Sequence, residues 1–226
     1  MKPGILALFS FILVVLAGPG ALQPAPARAK LVTIEITGVV DYVYNAYAFL
    51  GVEIRAGDLI TGYYRYDTAT PDSSPIGNYA DYWHRGVAGS FYLNIKGAEF
   101  QTDPDKVDLH LMISNGGHLI DRYSVTSHSN LFLAEERPVE KMYWTLEDST
   151  GTALESDALL GSPPLLDDWD FNYLYIAGPE RKAGATSPEP TFVITGHVIS
   201  AVPEPTSILF CICLVLQRNL APYGRL

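Results

Sequence analysis

Apolar and polar residues alternate along most of this 226-residue chain, in short runs separated by clusters of Gly, Pro, Asp and Asn. A period of two sends successive side chains to opposite faces, the pattern of strands with one buried face. In VTIEITGVVDYVY, Val32, Ile34, Ile36, Val40, Tyr42 and Tyr44 fall on one face, and Thr33, Glu35, Thr37 and Asp41 on the other. Similar runs occur at DLITGYYRYD, VAGSFYLNIKG, KVDLHLMIS, HLIDRYSVTS, KMYWTLED, FNYLYIAG and PTFVITGHVIS. Eight or nine strands without a helical period predict an all-β fold, an antiparallel two-layer β-sandwich or jelly roll.

The alternation also predicts a register. Asn115, Gly116 and Gly117 separate two of the runs, and a three-residue loop with Gly in the left-handed position would pair Ser114 with His118. Ile113 then faces Leu119, Leu111 faces Asp121, Leu109 faces Tyr123 and Val107 faces Val125, all on the buried side. Segments 67–86, 147–170 and 178–190 read as long connections, and Pro71 predicts a type I turn from Thr70 to Ser73.

The two extremities break the alternation. Met1-Lys2 precedes ILALFSFILVVLAG and then Ala27-Arg28-Ala29, the arrangement of an export signal helix cleaved after Ala29. Its apolar core is too short for a full membrane span. At the other end, the apolar run Ile208–Leu216 predicts a short hydrophobic helix. The division is a signal peptide at 1–29, one β-sandwich domain at 30–201, and a tail at 202–226. Export follows from the first of these.

Charge narrows the partners. The chain carries a net charge of −10, and residues 31–202 alone hold 10 Lys and Arg against 24 Asp and Glu. Such a body repels phosphate backbones, which argues against nucleic acid. It leaves divalent cations and basic partners open. Cys211 and Cys213 both lie in the terminal apolar run, so no disulfide staples the body. A domain of this size can build a sufficient core without one.

Catalytic motifs are sparse: there is no Gly-x-Ser-x-Gly, no His-Glu-x-x-His and no phosphate loop. A glycosidase on this fold would need only two carboxylates at the right separation, for which Glu35, Glu99 and Glu147 are the candidates. The expectation is nonetheless a protein that is not an enzyme. His84, His110, His118, His128 and His197 read as surface histidines, with His110 opposite Arg122. Asp121 is turned to the apolar side and needs a donor there.

Three acidic turns are candidate calcium sites, calcium being the one cofactor such loops would admit. They hold Asp67, Asp72 and Asp81; Asp103, Asp105 and Asp108; and Asp167, Asp168 and Asp170. Asp and Asn also favour turns for backbone reasons alone. Beside these acids, Tyr79, Tyr82, Trp83 and Trp169 could stack on sugars. Asp67, Asp72, Asp81 and Trp83 form the preferred calcium or glycan loop.

The tail carries a family resemblance. Val202-Pro203-Glu204-Pro205-Thr206-Ser207, followed at once by the apolar run and then Arg218, resembles the C-terminal sorting signal of PEP-CTERM proteins. The resemblance implies a motif, a membrane helix and a basic cytoplasmic end, processed by an integral-membrane exosortase in bacteria that make exopolysaccharide. Here the apolar run is short, and Arg218 and the distant Arg225 stand in place of an arginine cluster. ITGYYRYDTATPDSSP is similar to a stretch near the start of many PEP-CTERM cargo domains and implies no activity.

The function expected is therefore an exported cell-envelope or extracellular-matrix protein, monomeric or weakly associating. It would be anchored transiently through its tail and structural or binding in role, with exosortase and exopolysaccharide as partners. The alternatives are a carbohydrate-binding or carbohydrate-cleaving sandwich and a calcium-stabilised adhesion module.

Overall fold

Every second residue is buried along most strands of the computed structural model, which describes residues 30–204 apart from 46–47, 87, 117–118, 134–136 and 181–189. The strands are β1 (Leu31–Asn45), β2 (Leu59–Asp67), β3 (Tyr79–His84), β4 (Ser90–Ile95), β5 (Ala98–Gln101), β6 (Leu109–Ser114), β7 (Asp121–Ser127), β8 (Lys141–Asp148), β9 (Phe171–Ala177) and β10 (Phe192–Pro203). All pair antiparallel in one sheet, in the order β3-β6-β7-β8-β9-β10-β1-β2-β4-β5. Among the described residues there is no α-helix; Leu166–Asp168 form a 3-10 turn. The predicted terminal helices lie outside the described residues.

The sheet is curled. Tyr64 on β2 and Trp144 on β8 stand four strands apart, about 19 Å across a flat sheet. Their rings nevertheless sit 5.7 Å apart, and Tyr64 lies 6.4 Å from Tyr123 on β7. The inner face therefore closes on itself around a core of Ile34, Ile36, Phe91, Leu93, Leu111, Ile113, Leu146 and Ile194. Buried polar tips are partnered there: Tyr123 donates from its hydroxyl to that of Tyr64 at 3.1 Å, and Trp144 Nε1 donates to Asn172 Oδ1 at 3.0 Å. Where strands approach most closely, glycine is required. A Cβ on Gly62 would stand 2.0 Å from the Tyr92 carbonyl on β4.

The two strands not anticipated, β3 and β5, are the two edges of the sheet. Both are short, and β3 lies inside a segment expected to be a connection. The expected turn at Thr70–Ser73 is replaced by one a few residues earlier, closed by Thr70 N donating to Asp67 O at 3.1 Å. Ser73 instead donates from its N–H to the Asp81 carbonyl at 2.9 Å, covering the free edge of β3. The β1–β10 register shifts twice, at Ile199 of β10 and at Asp41 of β1, and the second reverses the alternation along β1. Tyr42, expected in the core with Val40, is consequently exposed.

The β6–β7 register differs from the expected one by four residues. Leu111 pairs with Val125, Ile113 with Tyr123 and Ser114 with Arg122. The parity was right, so the same face is buried, but the connection spans residues 115–120 and carries Leu119 outward, 74% exposed. Asp121 explains the difference. Fully buried at the end of the ladder, it accepts from Gly116 N at 3.1 Å and from Leu154 N at 2.8 Å. Opposite Leu111, in the middle of an apolar face, its carboxylate would meet no donor and cost several kcal/mol.

Candidate functional site

The outward residues of β3, β6, β7, β8 and β9 form a face with an unusual density of rings. An antiparallel sheet with one wet side usually shows polar residues there. Here β9 presents Phe171, Tyr173 and Tyr175, and β8 presents Tyr143 directly opposite Tyr175. Tyr143 and Tyr175 stack at 4.9 Å, Phe171 and Tyr173 at 5.6 Å, and Tyr143 and Tyr173 lie 6.0 Å apart. The Lys141 ammonium sits 4.9 Å over the Tyr143 ring. Burial among these neighbours pushes the Tyr143 hydroxyl up to about 12 and raises that of Tyr173 as well. Both stay neutral donors at ordinary pH.

A second ring cluster stands across the same face. Trp83 on β3 faces His110 on β6 in register, their rings parallel within 8° and 4.1 Å apart. His128 stacks 5.6 Å from Trp83, and the Arg85 guanidinium lies 5.0 Å over the indole. Asp81 holds His110 by accepting from Nε2 at 2.7 Å. Between the clusters is a shallow depression of about 390 Å³, floored by Met112, Ser124, Thr126 and Thr145. The Arg122–Glu147 ion pair, 2.7 Å, closes one side of it. The face thus offers flat rings for stacking, hydroxyls for hydrogen bonds and a few charges at the margin, which is the chemistry of sugar recognition.

The acidic turns are not gathered. Asp67 accepts from Ala69 N at 2.9 Å, and Asp72 accepts from Ser74 N at 2.8 Å and Asp81 N at 2.9 Å. The Asp81 carboxylate is turned to His110 instead. Asp103 accepts from Asp105 N, and Asp108 lies 3.4 Å from Arg85. Asp170 accepts from Ser149 N and Oγ, while Asp167 and Asp168 lie on the 3-10 turn. Among the described residues no three His, Cys, Asp or Glu side chains are grouped to hold a metal.

The carboxylates considered for glycoside cleavage lie far apart. Glu35 on β1 is three strands from Glu147 on β8 and three from Glu99 on β5, or about 14 Å along the sheet in each case. Retaining and inverting glycosidases need roughly 5–9.5 Å. Glu147 is paired to Arg122, and Glu99 accepts from the Tyr92 hydroxyl at 3.0 Å.

Two of the histidines, His84 and His110, differ from expectation. His110 faces Thr126, not Arg122, because the register moved. His84 is on the inner face and 3% exposed, with Nδ1 hydrogen-bonded to Thr70 Oγ1 at 2.9 Å. Burial pushes its imidazole down to about 4, against the opposing pull of Asp67. His197 pairs with Asp41 at the surface at 2.9 Å. His118 lies outside the described residues.

Of the candidate stacking aromatics, Tyr79 and Trp83 are on the outer face, whereas Tyr82 and Trp169 belong to the core. Val202, Pro203 and Glu204 finish the last strand: Val202 pairs with Glu35, Pro203 with Ile34, and Glu204 N donates to Thr33 O at 3.2 Å. The body therefore runs past the expected boundary at 201. Ala27, Ala29, Pro205 and Arg218 lie outside the described residues. The class defined so far is a curled all-β domain with a ring-lined outer face. Comparison with protein families, with characterised proteins and with solved structures finds no match.

Proposed function

We propose that this protein is exported and sorted to the bacterial envelope or extracellular matrix by a PEP-CTERM-like tail, and that its body binds rather than catalyses. The observation that carries this reading is the exit of the chain. β10 ends on Pro203 against Ile34, with Glu204 N still bonded to Thr33 O, so the described pairing ends inside the Pro-Glu-Pro motif, where a processing enzyme would meet the chain. Proline there removes N–H donors that would otherwise continue the ladder. An exosortase would then be the processing partner, with membrane anchoring through the tail lasting until cleavage. The test is the intact mass of the secreted chain with and without a co-expressed exosortase. Loss of the residues beyond the motif, abolished by Glu204→Ala, is expected; an uncut chain in both cases would refute the sorting reading.

The outer face favours carbohydrate as what the body binds, exopolysaccharide in the setting above. Two ring clusters flanking a hydroxyl-lined depression support it, and the separation of Glu35, Glu99 and Glu147 supports binding without cleavage. We read the curled sheet as two facing layers, β3-β6-β7-β8-β9 over β10-β1-β2-β4-β5, a sandwich whose outer faces are free for ligand; the Tyr64–Trp144 contact supports this. The calcium-stabilised module is the less favoured reading, since the carboxylates of Asp67, Asp72, Asp81, Asp103, Asp108 and Asp170 already meet local donors. Affinity electrophoresis in polysaccharide-containing gels tests the preferred one. Tyr143→Ala and Trp83→Ala should each weaken retention about tenfold, the equivalent of ~1.4 kcal/mol of ring stacking. Retention unaffected by both would show that sugars bind elsewhere, and absence of retention on every polysaccharide would remove the reading.

A further inference from the structure

The exposed apolar side chains are concentrated at one end of the sheet. The ladder places Ser114, Asp121, Asp148 and Phe171 at a common end, and β10 runs toward it past Gly196 to finish at Pro203. At that end Leu119, Ile120, Leu165, Phe171, Ile199 and Val202 are all exposed. Leu119 and Leu165, at 74% and 73%, are the most exposed large hydrophobic residues among those described. They sit on two different connections that one buried carboxylate ties together: Asp121 accepts from Gly116 N of the first and Leu154 N of the second. Asn115 Nδ2 also donates to the Leu154 carbonyl at 3.3 Å. The two connections are thus tied to one another at Gly116, Asn115 and Leu154.

This is also the end from which the chain departs. Beyond Glu204 come 22 residues, among them the apolar run Ile208–Leu216, only a few residues from the last rung of the sheet. A segment of that composition, once in a bilayer, holds the departing end of the body within reach of the lipid headgroups. The second contact then becomes intramolecular and needs little affinity of its own. The charge at this end selects the lipid. Glu155, Asp157, Asp167, Asp168 and Asp170 lie on the same 149–170 connection with no Lys or Arg among them, so an anionic surface repels it.

We propose that this apolar end of the body docks on the surface of a bilayer rich in zwitterionic lipid, with the tips carrying Leu119 and Leu165 in the interface. The inference rests on the membrane reading of residues 205–226 and adds an orientation to it: the outer aromatic face then stands upright from the membrane, open to solvent.

The test uses the chain exported in a host without exosortase, so that residues 205–226 stay attached, with Cys211→Ala and Cys213→Ala so that a single introduced cysteine carries an environment-sensitive dye. Leu119→Cys and Leu165→Cys report the docking end, and Tyr42→Cys and Leu59→Cys report the opposite end. Phosphatidylcholine vesicles containing doxyl-labelled acyl chains are the probe. Expected are co-flotation with the vesicles, a blue shift and quenching at 119 and 165, and neither at 42 and 59. Flotation with all four sites wet would overturn the docking inference while leaving the tail reading intact. Failure to float would overturn both. A blue shift at 119 and 165 that grows with protein concentration in the absence of vesicles would assign this end to a second copy of the chain and overturn it too. Quenching that strengthens as phosphatidylglycerol is added would overturn the choice of zwitterionic lipid.

Discussion

Replacing Asp121 by Ala should remove several kcal/mol of stability. Two backbone N–H groups, from Gly116 and Leu154, lose a charged acceptor in a site closed to water. A hydrogen bond to a charged group contributes roughly 1.5–3 kcal/mol, and a stranded buried donor costs about 1–3 kcal/mol. Because the two connections regain some water once released, the sum falls to about 3–4 kcal/mol. For a domain of this size that corresponds to roughly 6–16 °C in Tm at about 2–4 °C per kcal/mol. Urea unfolding followed by the fluorescence of the buried Trp144 and Trp169 measures it directly. Asp121→Asn, which keeps one acceptor oxygen, should lose about half as much. Asp72→Ala, at an exposed turn, should lose under about 1 kcal/mol. A loss below about 1 kcal/mol for Asp121→Ala would refute the view that this carboxylate clasps the two connections.

Three further outcomes follow from the same geometry. His84 is held neutral in the folded protein down to about pH 4 but titrates near 6.5 when unfolded, so the unfolded state gains a proton first. Stability should be full above pH 6.5 and fall between 6.5 and 4; the whole shift corresponds to about 3 kcal/mol, and partial access of water reduces it to about 2 kcal/mol. His84→Gln should flatten that slope in urea titrations at stepped pH, and a slope unchanged in the variant would assign it to other groups. Asp148, opposite Asp121 in the ladder, has its carboxyl held well below the usual range, first by the Thr150 hydroxyl and then by the N–H groups of Thr152, Thr150 and Ala153. Its contribution is present above about pH 4 and lost as the pH falls further, so Asp148→Asn should be less stable than the parent at pH 7 and converge with it in strong acid. Gly62→Ala should disrupt the β2–β4 ladder, where its Cβ would press on the Tyr92 carbonyl; thermal melting should show a drop of several degrees, whereas Gly57→Ala, with open space around it but a left-handed φ of 89°, should cost less.

The strands were legible because one buried face imposes a strict period, and even β6 and β7 kept their parity when their register moved. The register itself was not legible. Leu119 looks like a core residue by composition, and nothing near Asp121 in the chain announces that its second donor is Leu154, 33 residues away. The edges β3 and β5 escaped because an edge strand is short and half polar by physical necessity. Of the outer face, Trp83 and Tyr79 were singled out and the β8–β9 rings were missed. The signal was present in FNYLYIA, where Phe171, Tyr173 and Tyr175 alternate with Leu174 and Ile176. A strand apolar on both sides in an antiparallel sheet has something to cover on its outer side. His84 was misplaced because a histidine next to a tryptophan gives no clue to which of the two faces inward.

The pairing of β1 with β10 joins the first strand of the body to the last. Contacts that close a loop this long are entropically costly and form late. Until the final strand has been synthesised, β1 has only β2 beside it, and the inner face stays open to solvent. The nascent chain therefore cannot complete its sheet early, by its own topology. Its native state becomes reachable only when the residues just before the tail arrive. Glu204 ends against Thr33, three residues from Lys30, so joining Lys30 and Glu204 with a short linker and opening the chain at residue 97 should yield a permuted protein with the same sheet.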